Sequence, residues 1–93
     1  MQALAPGGRL FIVVGAGIVG SSIAYHLTRR GAEVTLIDAG AVGGKATACS
    51  WAWTNASFGN PKPYFDLRSR SMALWDKLGA ELPDLPYRRT GTL

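Results

Sequence analysis

The stretch from Leu10 to Asp38 constrains the fold of this chain more than any other, because three structural signals follow one another within it. It begins with the apolar run LFIVV, continues through the glycine motif GAGIVG at residues 15–20, and ends with the strand-like segment EVTLID. A short apolar run of this kind is typical of a parallel strand, expected here to be covered on both faces. The order of signals predicts an α/β unit built from a strand, a glycine turn, a helix and a second strand.

The segment after the glycine turn has helical spacing and is expected to end at Gly31, a residue type that favours the left-handed cap position. Its apolar residues are expected to form the stripe that packs on the sheet. These residues are Val19, Ile23, Ala24 and Leu27. With two strands only, the predicted fold is a Rossmann-like βαβ unit with an incomplete sheet.

The three glycines of the motif have different purposes in a dinucleotide site. Gly15 allows a tight turn, Gly17 leaves room for a pyrophosphate beside the backbone, and Gly20 lets the helix approach the strand closely. The helix start offers N–H groups and the positive end of its dipole to phosphates. Asp38 closes the second strand, where a carboxylate accepts ribose hydroxyls and repels a 2′-phosphate. These residues predict a site for NAD or FAD.

Composition limits the other functions open to a chain of 93 residues. Shares of 47% hydrophobic and 17% charged residues indicate a globular chain. The net charge of +4 is dispersed, so no nucleic-acid partner is expected. Glycines and serines interrupt the apolar run, so no membrane span is expected either. Cys49 is the only cysteine and His26 the only histidine, so no disulfide framework or metal cluster is expected. The single cysteine also favours the cytoplasm.

The residues after Asp38 favour FAD over NAD, because a small-residue loop replaces the helix that would begin a second NAD-binding half. This loop is AGAVGGKATACS at residues 39–50, and it is followed by WAWTNA at 51–56 and NPKPYF at 60–65. From Phe11 onward the chain resembles the N-terminus of the FAD-dependent oxidoreductases of the D-amino-acid oxidase group, which includes glycine and sarcosine oxidases. The resemblance implies FAD as the cofactor, with hydride transfer to the flavin from an amine or amino-acid substrate.

The resemblance also implies which residues contact FAD. Its glycine turn matches residues 15–20, and its ribose-binding acid, more often Glu, matches Asp38. Its small-residue segment, which passes the phosphates and approaches the flavin, matches approximately residues 44–48. The predicted cofactor-binding residues are Gly15, Ala16, Gly17, Ile18, Val19, Gly20, Asp38, Ala39, Lys45, Ala46 and Thr47. No catalytic residue is assigned. Trp51 and Trp53 are expected either to line the flavin or substrate region or to form an aromatic core beneath a missing domain.

The last third of the chain predicts an amphipathic helix that begins near Pro61 and Pro63 and ends at Gly79. Its apolar stripe is expected to consist of Tyr64, Leu67, Ser71, Leu74, Trp75 and Leu78. Residues 1–9 are predicted to form a flexible lead, and residues 10–93 the N-terminal part of an FAD-binding domain without its substrate domain. We therefore expect a fragment, or half of a split enzyme with a companion chain, that is inactive alone.

Two alternatives stay open at this stage. An NAD-dependent dehydrogenase fragment would share the glycine motif and the acid at the end of the second strand. A non-catalytic nucleotide-binding module is the other alternative, and it would be favoured if the chain folded alone without binding a flavin.

Overall fold

The computed structural model of the chain describes residues 9–57 and 59–91. Its elements, in chain order, are β1 (Leu10–Val14), α1 (Ile18–Arg29), β2 (Glu33–Ile37) and α2 (Lys62–Glu81). The described residues up to 51 form one compact unit, and those from 52 onward form another. The predicted α/β fold, with a βαβ unit followed by a loop and a helix, is confirmed. The predicted flexible lead lies outside the described residues, apart from Arg9.

β1 and β2 form a two-stranded parallel sheet, in which Leu10 pairs with Glu33 and Val14 pairs with Ile37. Parallel strands cannot be joined by a tight hairpin, and α1 provides the crossover between them. The crossover returns the chain so that both strands end at the same edge of the sheet. The glycine turn and the residues after β2 are thereby neighbours.

The apolar run of β1 is covered on one face only, and the expectation of a strand buried on both faces is wrong. Val13 faces α1, since a Cβ added to Gly20 would lie 3.5 Å from its Cγ1. Leu10, Ile12 and Val14 point to the other face, where they are 59%, 62% and 80% exposed. Hydrophobicity indicates which residues favour burial, but it does not identify an element that covers them.

The half-buried face of α1 begins with two small residues. Gly20, Ala24 and Leu27 follow the spacing of one helix face and are half-buried. Val19 and Ile23 are 69% and 47% exposed, so the predicted stripe is wrong at these two positions. The close approach of α1 to the turn explains the difference, because it leaves room only for small side chains where the helix begins.

The end of α1 confirms the predicted cap. Gly31 adopts a φ of 84°, and the N–H of Ala32 donates to the carbonyl of Leu27 at 3.1 Å. Ala32 is 7% exposed, and Ala16, just before the helix, is 2% exposed. In the part of the chain that the structure describes, these two alanines are the buried apolar residues, so this unit has a very small core.

α2 begins where the prolines predict and ends later than predicted. Pro61 precedes its first residue, and Pro63 lies in its first turn. Gly79 was expected to end the helix, but the helix continues to Glu81, so that expectation is wrong. Leu82 leaves the helix with a φ of −122° and a ψ of 83°, outside the α region that the proline after it disfavours.

The covered face of α2 also differs from the predicted stripe. Tyr64, Leu67 and Leu74 are 50%, 61% and 49% exposed. The half-buried residues of α2 include Arg68, Met72, Trp75, Leu78 and Gly79. Trp75 stacks on Tyr87, with ring centroids 5.8 Å apart, and a Cβ on Gly79 would lie 3.3 Å from the same ring. Flanking segments therefore decide which face is covered.

Neither helix of the described residues is long and apolar enough to cross a membrane.

Candidate functional site

The glycine turn lies at the carboxyl edge of the sheet and continues the strand pairing by one residue. Gly15 has a φ of 103°, a backbone conformation that side chains with a Cβ rarely adopt. Its N–H donates to the carbonyl of Ile37 at 2.7 Å. The turn is therefore tied to the end of β2 at its first residue, in the position where α/β folds bind ligands.

Gly20 is a second position at which only glycine fits. A Cβ added there would overlap the carbonyl oxygen of Gly15 and would lie 2.9 Å from the carbonyl carbon. The first turn of α1 thus rests directly on the backbone of Gly15. This is the close helix approach that the third glycine of the motif predicts.

Asp38 follows β2, and its carboxylate is bonded to the glycine turn. Oδ2 accepts from the N–H of Ala16 at 2.8 Å, and Oδ1 accepts from the N–H of Gly40 at 2.7 Å. The N–H of Ala16 and then that of Gly40 hold the pKa of Asp38 below its usual value, against a smaller opposing effect of burial. The carboxylate is ionised at neutral pH. It is exposed, and roughly half of its four lone-pair positions remain for other donors.

Thr47 reaches the N-terminus of α1 from the loop after β2. Its Oγ1 accepts from the N–H of Ile18 at 3.0 Å. Gly17 is the N-cap residue and has no side chain for this purpose, and a Cβ there would lie 3.1 Å from the same Oγ1. The threonine hydroxyl therefore caps the helix from a distant position. Its hydrogen can be donated to an acceptor at the same place.

The loop that carries Thr47 is also held to the turn through the backbone. The N–H of Gly43 donates to the carbonyl of Ala16 at 2.8 Å. Ala16 is thus bonded on both sides, through its N–H to Asp38 and through its carbonyl to Gly43. The loop itself folds into successive turns and contains no helix, as its small residues predict.

The structure brings most of the predicted cofactor-binding residues together around Ala16. Those joined there by bonds or close approach are Gly15, Ala16, Gly17, Ile18, Gly20, Asp38 and Thr47. The others, Val19, Ala39, Lys45 and Ala46, are exposed residues of α1 and the loop. Their contacts with a cofactor stay predictions.

Sequence reasoning missed the two loop glycines that donate N–H groups to the turn and its acid, Gly40 and Gly43. Backbone donors have no side chain that would indicate them. The sequence Asp-Ala-Gly does contain one usable signal, because an aspartate often accepts from the N–H two residues later.

The two tryptophans after the loop do not form an aromatic core in the described residues. Trp51 is 95% exposed and Trp53 is 59% exposed. Ala52 between them has a φ of 53°, so the backbone is not regularly extended at this point. A place beside the flavin and an aromatic core beneath a further domain both stay predictions for these residues.

The donors and acceptors of this site suit the ADP half of a dinucleotide. A pyrophosphate is bound by N–H and hydroxyl donors, and α1 has no acidic residue in its first turn to repel it. A ribose needs an acceptor for its hydroxyls, which the exposed carboxylate of Asp38 provides. The glycines at 15, 17 and 20 keep this surface free of side chains.

Comparison with known proteins identifies relatives along most of the chain. A model of the DAO family, described as FAD dependent oxidoreductase, matches residues 11–93. Glycine oxidase of Bacillus licheniformis is 37% identical over 76 residues, which cover 80% of this chain and 21% of that protein. Glycine oxidase of Bacillus subtilis (strain 168) is 34% identical over 73 residues, which cover 76% of this chain and 20% of that protein. N-methyl-L-tryptophan oxidase of Yersinia pestis (strain Pestoides F) is 30% identical over 89 residues, which cover 88% of this chain and 23% of that protein. The chain spans about a fifth of the length of these curated relatives.

Proposed function

Because the chain belongs to the DAO family of FAD-dependent oxidoreductases, we propose that it binds the ADP half of FAD in a flavin-dependent amine or amino-acid oxidoreductase. The family gives FAD rather than NAD as the cofactor. The observation that carries the proposal is the position of the Asp38 carboxylate, which is ionised, exposed and bonded to the N–H of Ala16 in the glycine turn.

Each part of the ADP half has a counterpart in the described residues. The N–H groups at the start of α1 and the hydroxyl of Thr47 would hold the pyrophosphate, and Gly17 would leave room for it. Asp38 would accept the ribose hydroxyls with the lone pairs that Ala16 and Gly40 do not use. Bound FAD supplies the acceptor for a hydride. The residues of this chain bind and orient the cofactor.

The substrate class of the intact enzyme is proposed from the relatives. Those named glycine oxidase and N-methyl-L-tryptophan oxidase act on an amino acid and on an N-methyl amino acid. Both substrates contain a carbon–nitrogen bond that a flavin can oxidise by accepting hydride from the carbon. We place the amine-binding groups in a substrate domain or companion chain. We also place the protein in the cytoplasm, because Cys49 is its single cysteine.

A titration of the 93-residue chain with FAD tests the cofactor site. Flavin fluorescence should change on binding, ADP should displace FAD, and FMN, which lacks the adenosine half, should not. Asp38→Ala should weaken FAD binding by about tenfold, which corresponds to roughly 1.4 kcal/mol of binding free energy. Asp66→Ala is the matched control, because it removes an exposed carboxylate that lies on α2 and pairs with Lys62.

Two results would contradict the cofactor assignment. One is binding of NADH without binding of FAD, and the other is displacement of FAD by FMN but not by ADP.

The substrate class is tested separately, by mixing the intact FAD-loaded protein with glycine, sarcosine or N-methyl-L-tryptophan without oxygen. Loss of the visible flavin absorption is expected with at least one of them, and an unreduced flavin with all three would refute this substrate class.

A further inference from the structure

We propose that Asp38 is a positioning residue for the glycine turn as well as a ribose ligand, and that this second role requires aspartate rather than glutamate. The inference rests on the proposed function, since it concerns how the FAD site is prepared before FAD binds.

The carboxylate of Asp38 joins two segments that are distant in sequence. Its bond to the N–H of Ala16 spans the whole α1 crossover, and its bond to the N–H of Gly40 stays within the turn after β2. Ala16 is 2% exposed, so its N–H depends on a protein acceptor. Removal of the carboxylate would leave that N–H buried without a partner and free the middle of the glycine turn.

The length of the side chain decides whether both bonds can form. An acceptor that reaches the N–H two residues later is typical of aspartate and asparagine, whose polar atoms lie close to the backbone. A glutamate carboxylate lies one carbon–carbon bond further out, about 1.5 Å. The present bonds are 2.8 and 2.7 Å long, so a shift of this size breaks at least one of them unless the backbone moves.

The two roles of Asp38 use different parts of the carboxylate. One lone pair on each oxygen is directed to an N–H group, and the exposed edge is left for the ribose hydroxyls. A turn that is already ordered does not have to be ordered when FAD binds, which strengthens binding without any additional contact. The positioning role should therefore affect ligands that lack the ribose hydroxyls.

Amide hydrogen exchange of the 93-residue chain without nucleotide tests the positioning role. In the wild-type chain the Ala16 amide should be protected. Its exchange should become about tenfold faster in Asp38→Ala and in Asp38→Glu, the size expected for loss of one hydrogen bond to a charged group. The amide of Tyr25 in the middle of α1 is the internal control and should not change.

Asp38→Asn keeps the size of the side chain and serves if the other variants unfold. Its single oxygen can accept from Gly40 or from Ala16 but not from both as the carboxylate does, so faster exchange is expected at Ala16 with Gly40 unchanged. An Ala16 amide that exchanges at the unfolded-chain rate in the wild type would overturn the inference. Equal protection in the wild type, Asp38→Glu and Asp38→Asn would also overturn it.

A binding comparison separates positioning from ribose contact. ADP and 2′,3′-dideoxy-ADP are titrated into the wild-type chain and into Asp38→Ala. Positioning predicts that the alanine variant binds both nucleotides several-fold more weakly, with a larger loss for ADP. Equal binding of dideoxy-ADP by the two chains would refute it. Binding of FAD by the wild type decides the proposed function independently, because the exchange experiment contains no nucleotide.

Discussion

Replacement of Gly20 by alanine should destabilise the chain, although alanine is the better helix former. In an exposed helix interior this change would stabilise by about 1 kcal/mol. Here the new methyl group would overlap the Gly15 carbonyl oxygen and lie 2.9 Å from the carbonyl carbon. Carbon atoms in contact are normally about 3.5–4.0 Å apart, so α1 would have to move by at least about 0.6 Å.

The expected size of the effect follows from these opposing contributions. Insertion of a methyl group into a filled space typically costs about 1–3 kcal/mol, and the contact here is with backbone that cannot rotate away. That backbone contact places the cost in the upper part of this range, about 2–3 kcal/mol, so a net loss of about 1–2 kcal/mol remains after the gain of about 1 kcal/mol in helix propensity. For a chain of this size, that loss lowers Tm by roughly 4–16 °C. FAD affinity should fall as well, because a displaced Gly15 carbonyl disturbs the neighbouring Ala16 peptide.

Thermal unfolding followed by circular dichroism, with a parallel FAD titration, measures both effects. Gly40→Ala is the matched control, because a Cβ there would lie 3.8 Å from the nearest side-chain oxygen and would meet no overlap. Its Tm should stay near that of the wild type. A Gly20→Ala variant that melts at or above the wild-type temperature and binds FAD equally well would refute the close approach of α1 to Gly15.

Three other changes test the remaining contacts. Thr47→Val removes the acceptor of the Ile18 N–H, so it should lower the unfolding free energy by about 1 kcal/mol and weaken FAD binding. Thr47→Ser keeps the hydroxyl and should restore both values. Equal stability and affinity of the valine variant and the wild type would exclude the cap. The pKa of Asp38 is lower in the folded chain, so the carboxylate should contribute its full stabilisation above the ordinary aspartate pKa of about 3.9. That stabilisation should be lost as the pH falls through the lower pKa of the folded state. Unfolding curves measured in acid should show the loss for the wild type and not for Asp38→Ala. Arg68 donates to both the carbonyl and the side-chain oxygen of Asn55. Arg68→Lys should therefore lower the free energy of unfolding, measured in urea, by about 1 kcal/mol. An unchanged urea midpoint would contradict this.

The glycine turn was predictable because its geometry excludes other residue types. The φ of Gly15 and the backbone contact of Gly20 each leave a mark in the sequence, and the spacing to Asp38 follows from a helix and a strand of ordinary length. The order of elements and the presence of a parallel sheet follow from the same signals. Residue types that are required by backbone geometry can be read from one sequence.

Burial was predicted less well, because it depends on what lies opposite a residue. Val19 and Ile23 fit the helical pattern of a core stripe, yet the line of α1 that faces the sheet begins with Gly20. Gly79 looked like a helix end, yet it is inside α2 and makes room for Tyr87. In both cases a local pattern was correct about periodicity and wrong about the partner, which only the folded chain specifies.

The candidate site is held by hydrogen bonds more than by a hydrophobic core. Ala16 lies at its centre, and the bonds around it involve the N–H of Gly15, the N–H and carbonyl of Ala16, and the N–H of Ile18. Two of these bonds end on side chains, Asp38 and Thr47, and both side chains are also predicted to meet the cofactor, as is the exposed Lys45. The groups that would bind FAD are therefore the same groups that shape the turn before it binds. A substitution at either side chain should then change stability and affinity together, whereas a substitution of Ile23, an exposed apolar residue further along α1, should influence neither the turn nor the nucleotide.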